Sequence, residues 1–111
     1  MGGYEHKVMT VDEMRASGAL VVDIRTPPEW HQTGVIEGAR LIPFSDPNAF
    51  VAEIGPDIAD GRDVVLVCRS GSRTQMAGMY LAQMIPNRVI SAAGGMIGIA
   101  GRHGYRPVAP E

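Results

Sequence analysis

The chain has one cysteine, Cys68, and places it in VVLVCRSGSRTQMAG, residues 64–78. Four apolar β-forming residues lead into it, and CRSGSRT leads away. Gly71, between the small residues Ser70 and Ser72, lets the backbone curl until successive amide N–H groups point into one concavity. A helix opening near Arg73 adds its own unpaired N–H groups and the positive end of its dipole. The thiolate is the reactive form of cysteine, and such surroundings favour it. Arg69 and Arg73 bring two permanent positive charges, suited to an oxyanion or an anionic sulfur. No acidic residue stands nearby in sequence to cancel them. The chemistry expected is nucleophilic attack by Cys68 on an anionic substrate held by Arg69, Ser70, Gly71, Ser72, Arg73 and Thr74. The plain alternative is a cysteine packed as a small hydrophobe. Glycine, arginines, strand end and helix start all coincide here, which favours the site.

Charge is segregated along the chain in the same sense. Eleven carboxylates lie before Val64, and none lies between Val64 and Pro110, a stretch that holds Arg69, Arg73, Arg88, Arg102 and Arg106. This points to an anionic ligand on the C-terminal half. A small anion fits better than nucleic acid, because the chain is acidic overall and has no lysine stripe or aromatic platform. Arg102 and Arg106 either extend the positive field or are simply solvated.

One cysteine excludes an internal disulfide and a cysteine-based zinc site. His6, His31 and His103 are far apart and lack ligand spacing, so they read as surface or hydrogen-bonded histidines. No metal and no cofactor are expected. No apolar run approaches the roughly 20 residues that span a bilayer, and MGGYEHK lacks the apolar core of a signal peptide. Cytoplasm is the default compartment for a free thiol, although a removed leader is compatible with the same sequence.

At 111 residues the chain makes one domain. KVMT reads as a short strand, and Thr10 with Glu13 forms a capping box for a helix that Gly18 closes. ALVVDI is a buried strand. TPPEWHQTG holds a brief helix with Pro28 in its first turn, and GARLIPF a third strand stopped by Pro43. DPNAFVAEI is a helix capped by Asp46 or Asn48 and ended by Gly55-Pro56. DVVLVC has the continuous apolar run of a strand buried on both faces. A helix is predicted over 74–84 with Met76, Tyr80 and Met84 on one stripe and Ala77 and Leu81 beside it. RVISAA is a last strand, and a glycine-weakened helix follows. The seven methionines read as core filler, some of them lining a pocket mouth. Trp30 plugs the core or covers the site's edge. Alternating strands and helices imply a parallel sheet covered on both faces, with ligands at the carboxyl ends of the strands. Cys68 stands at that edge.

VVDIRTPPEWHQTGVIEGARLIPF, VVLVCRSGSRT and VISAAGGM together resemble a single-domain rhodanese, from about residue 7 to residue 108. The family's D-x-R, G-A-x-x-I-P, C-R-x-G-x-R and G-G occur in order at Asp23–Arg25, Gly38–Pro43, Cys68–Arg73 and Gly94–Gly95. The resemblance implies a five-stranded parallel sheet with helices on both faces. It also implies a thiosulfate sulfurtransferase that moves sulfur from thiosulfate, or a similar small anionic donor, to a thiol, protein or cyanide acceptor through a Cys68 persulfide. The loop amides would stabilise the outer sulfur, and Arg69 and Arg73 would grip the donor's sulfonate.

Two positions depart from the family. Val35 stands where its G-H-I-x-G-A stretch has histidine, and Ile99 where a tryptophan commonly follows the glycine pair. Both bear on packing at the site's rim, and through it on substrate and partner. Asp23 and Arg25 read as an ion pair supporting the strand end rather than as catalytic groups. Two other functions stay open: a persulfide carrier loaded by another protein, and a cysteine phosphatase or arsenate reductase. Against the latter, a phosphatase loop has five residues between cysteine and arginine, and this chain has four between Cys68 and Arg73.

Overall fold

Five parallel strands form one sheet in the computed structural model, which describes residues 2–110. They are β1 (Tyr4–Lys7), β2 (Leu20–Asp23), β3 (Arg40–Leu41), β4 (Val64–Val67) and β5 (Val89–Ala92), in the spatial order β1-β5-β4-β2-β3. β4 lies in the centre, paired with β2 and β5, and its four residues have no exposed surface. That position explains its unbroken apolar run: a strand covered on both faces has no solvent side on which to place polar residues. Val64 and Leu66 face one layer of helices with Val22 and Val89, while Val65 and Val67 face the other with Ile90 and Ala92.

The first layer contains α3 (Pro47–Ile54) and α4 (Ser72–Ala82), which bury Phe50, Ile54, Ala77 and Leu81. The second contains α1 (Val11–Ala16) and the glycine-rich α5 (Gly95–Ile97), which runs into a π-helical turn at Gly98–Arg102. The remaining helix, α2 (Pro27–Thr33), follows β2. Each fully buried aliphatic side chain contributes about 1.5–3 kcal/mol. The helix starts follow the sequence rules. Thr10 and Glu13 make the reciprocal capping box of α1, and the Asp46 carboxylate accepts the Asn48 amide at the start of α3. Among the described residues no helix is long and apolar enough to cross a membrane.

Three local expectations are corrected. The first strand is Tyr4–Lys7 rather than KVMT, because its backbone pairs with Val89–Ala92, while Val8 is exposed and Thr10 already serves as a cap. α3 ends at Ile54 with Gly55 as its C-cap, as Gly55-Pro56 led us to expect. A 3-10 turn continues over Gly55–Ile58, where proline is tolerated in a first turn and Ile58 reaches the core. α4 starts two residues earlier than predicted and ends at Ala82.

The stripe of α4 that faces the sheet is also not the predicted one. Met76 and Tyr80 are 72% and 58% exposed, and the buried face is Thr74, Ala77, Gly78 and Leu81. A Cβ on Gly78 would lie 2.6 Å from the Tyr4 ring. The helix therefore sits so close to the sheet that only small residues fit between, and the larger apolar ones turn outward. Met76 and Met79 are accordingly not core filler.

Candidate functional site

β4 delivers Cys68 to the carboxyl edge of the sheet, and the chain then turns sharply into α4. Gly71 makes that turn with φ 101°, a conformation that side chains rarely adopt. It also packs against the next loop, where an added Cβ would lie 3.0 Å from the Gly94 nitrogen. The carbonyls of Cys68 and Arg69 point the other way and accept the amides of Met96 and Ile97 at 2.8 and 3.0 Å. Gly95 permits this contact: a Cβ there would come within 2.5 Å of the Cys68 oxygen. The Gly94–Gly95 pair thus holds the back of the cysteine loop.

Cys68 itself is buried, 1% exposed. Its Sγ accepts the Gly71 amide at 3.1 Å and lies 3.7 Å from Thr74 Oγ1, to which the thiol donates. Among the described residues, Gly71 is the one loop amide that donates to Sγ. The Thr74 hydroxyl is fixed by the Gly71 carbonyl at 3.1 Å and Ser91 Oγ at 2.6 Å, and Ser91 in turn meets His6 Nδ1 at 2.8 Å. Ser91 and His6 are opposite each other in the β5–β1 register, so the sheet's pairing places them. Ser70 and Ser72 are exposed at the rim, their hydroxyls 3.1 Å apart.

The two loop arginines differ. Arg69 is exposed and has no carboxylate within salt-bridge distance among the described residues. Arg73 is not the uncompensated cation that its sequence neighbourhood suggested. Its Nη1 and Nη2 donate to Glu29 Oε1 and Oε2 at 2.9 and 2.6 Å, across 44 residues of chain. Glu29 stands on α2, where its Oε1 also accepts the Thr26 amide at 3.1 Å. Hydrogen bonds from Arg73 dominate over partial burial and, with the Thr26 amide, hold the Glu29 carboxyl down from 4.5 to about 2.

Asp23 and Arg25 form a buried pair, each 1% exposed. Arg25 Nε and Nη2 donate to the Asp23 carboxylate at 3.0 and 2.8 Å, and Nη1 and Nη2 also donate to Thr33 Oγ1 and the Gly34 carbonyl. This ties the end of β2 to the end of α2, the helix that carries Glu29. Arg102 and Arg106 are exposed and make no ion pair among the described residues. Trp30 is 8% exposed. The two departures from the family pattern are both core residues: Val35 pairs with Val108, and Ile99 is 1% exposed. Beside Arg73 opens an apolar cleft of about 430 Å³, lined among others by Ile24, Phe44, Met76, Ala77 and Tyr80.

Sequence reading missed Glu29, Ser91 and His6. Only Glu29 left a signal, four residues past Arg25 and in the capping position of α2.

A rhodanese-like domain model of the family matches residues 8–101. The chain belongs to the rhodanese-like family. A curated protein of Allochromatium vinosum named sulfurtransferase is 46% identical to this rhodanese-like chain over 92 residues, 83% of the chain and 80% of the relative. Among solved structures, a rhodanese-related protein from Thermoplasma volcanium superposes with a TM-score of 0.68 at 22% identity, covering 94% of this chain and 99% of that one. A rhodanese-like domain protein from Staphylococcus aureus has a TM-score of 0.56 at 26% identity, covering 82% and 88%.

Proposed function

We propose that this rhodanese-like domain transfers sulfane sulfur through a persulfide on Cys68. The Cys68 thiolate attacks the outer sulfur of thiosulfate. A new S–S bond forms, the old one breaks, and sulfite leaves with its electron pair. An acceptor nucleophile, cyanide in an assay or a thiol, then takes the outer sulfur, and the Cys68 thiolate is restored. Dividing the transfer at a covalent intermediate gives two easier steps.

The observation that carries this reading is the Gly71 N–H aimed at a sulfur that ends the central strand and precedes a helix N-terminus. In the persulfide the charged sulfur lies about 2 Å beyond Sγ, and on this reading the loop amides from Arg69 to Thr74 stabilise it. Those amides and the start of α4 are preorganised for an anion. Arg69 supplies the free positive charge at the rim. Asp23 and Arg25 act as support, because they contact α2 rather than the sulfur. With no second cysteine, the loaded sulfur waits for an outside acceptor.

A second reading, a carrier loaded by another protein's persulfide, is favoured by the neutralised Arg73 and the apolar cleft beside it. A phosphatase fits less well, because its loop arginine must be free to grip phosphate, and Arg73 is engaged.

The test is intact-protein mass spectrometry. Incubation with thiosulfate should add one sulfur, cyanide should remove it, and Cys68→Ser should take up none. A wild-type protein that gains no sulfur from thiosulfate or from a persulfide-bearing protein overturns the reading, and hydrolysis of a chromogenic phosphate ester in place of sulfur transfer would replace it.

A further inference from the structure

Arg73 and Glu29 decide what kind of anion the site receives. Of the two loop arginines, Arg73 lines the cleft, and both of its terminal nitrogens are spent on the Glu29 carboxylate at 2.9 and 2.6 Å. That carboxylate is ionised throughout the neutral range, and the bidentate contact with Arg73 holds it further down still. The pair therefore presents no net charge, and the wall beyond it, from Ile24 and Phe44 to Met76 and Tyr80, is apolar. Among the described residues, only Arg69 remains as an unpaired cation in the loop.

We propose that Glu29 is a specificity-determining residue that turns Arg73 from an anion receptor into a neutral wall, so that the site selects singly charged sulfur donors with an apolar body over small dianions. The inference deepens, and rests on, the reading of Cys68 as a sulfur-accepting nucleophile. Its physical basis is competition. A dianion such as thiosulfate must either displace Glu29 from a bidentate ion pair or sit beside a second negative charge. A monoanion whose charge is confined to the loop amides and Arg69 needs neither, and its hydrocarbon part gains by covering exposed Met76 and Tyr80.

Two donors with the same reacting group separate these cases. Thiosulfate carries two charges and leaves as sulfite; benzenethiosulfonate carries one, bears a phenyl ring and leaves as benzenesulfinate. Glu29→Gln keeps an oxygen that can accept the Thr26 amide, so the start of α2 is retained. It should improve kcat/KM for thiosulfate about three- to tenfold, the size expected of one charge removed from a partly exposed site. The gain should fall on KM, with a much smaller change for benzenethiosulfonate. It should vanish in the double variant Glu29→Gln/Arg73→Ala, because there is then no released cation to exploit.

A second measurement does not depend on sulfur transfer. Cys68 is the one thiol to alkylate, and the rate with anionic iodoacetate relative to neutral iodoacetamide should rise in Glu29→Gln by the same factor. Asp60→Asn, which removes a charge at the opposite end of the sheet, should leave that ratio alone. Donor and alkylation ratios that do not move, or gains that persist without Arg73, overturn the charge filter while a loaded wild type keeps the functional reading. If the wild type accepts sulfur from neither donor and from no persulfide-bearing protein, the functional reading fails, and the alkylation ratio alone decides the filter.

Discussion

Gly95 and Cys68 touch through their backbones: a methyl group on Gly95 would sit 2.5 Å from the Cys68 carbonyl oxygen and 2.6 Å from the Arg69 carbonyl carbon. The glycine has φ 54°, so replacement meets both a clash and an unfavourable backbone conformation. Gly95→Ala should push the loop off the amides of Met96 and Ile97 and cost about 1–3 kcal/mol. Sulfur loading should fall by more than the loss of folded protein explains, which thermal melting beside mass-resolved loading would check. Gly38→Ala, at a positive-φ glycine with open space around it, is the control for strain alone and should leave loading per folded molecule intact.

The buried Asp23–Arg25 pair is expected to matter to stability more than to chemistry. Arg25→Met strands a carboxylate that is 1% exposed, at a cost of about 3–5 kcal/mol. Adding Asp23→Asn should recover part of the loss, since both charges are then gone. Urea midpoints of the two variants measure this. Equal midpoints would mean that the carboxylate finds other partners.

Glu29 should make the domain's acid stability depend on Arg73. Its folded value of about 2 lies below the ordinary 4.5, so the unfolded chain binds more protons between them. The stabilisation is fully present above about pH 4.5 and is lost as pH falls through about 2. Because Arg73 is half exposed, it amounts to no more than about 1 kcal/mol. Wild type and Glu29→Gln should therefore differ most in denaturant stability above pH 5 and converge on acidification.

Arg69 is the loop cation that no carboxylate cancels among the described residues, and Arg106 is an exposed arginine outside the loop. Arg69→Ala should raise KM for thiosulfate severalfold, on the order of one lost charge-assisted hydrogen bond. Arg106→Ala should change it little. Steady-state kinetics on the two variants decides, and equal effects would mean a diffuse positive field in place of a directed contact.

Much of this was legible along the chain. The apolar run of residues 64–67 could only be a strand buried on both faces, so Cys68 had to emerge at the carboxyl edge of a parallel sheet. Gly71 and the start of α4 had to follow within a few residues. Those are consequences of local geometry, since the backbone chemistry of a strand end, a positive-φ turn and a helix start is written in adjacent residues. The first strand was misplaced by three residues because KVMT is as apolar as a strand needs, and only pairing with β5 selects Tyr4–Lys7. The outward stripe of α4 was misread for a similar reason. Periodicity gives the face but not its direction, and Gly78 against Tyr4 decided that the small residues pack inward.

The sequence by itself determined where the candidate nucleophile Cys68 sits, the loop that follows it and the sheet that carries it, because these depend on neighbours in the chain. Tertiary structure alone decided the charge of the site. Arg73 stands among residues with no acid near it in sequence, and Glu29 reaches it from a separate helix, held in place by the Thr26 amide on one side and through α2 by Arg25 on the other. Electrostatics acts through space, so the net charge at the site was fixed only when two distant helices were packed together.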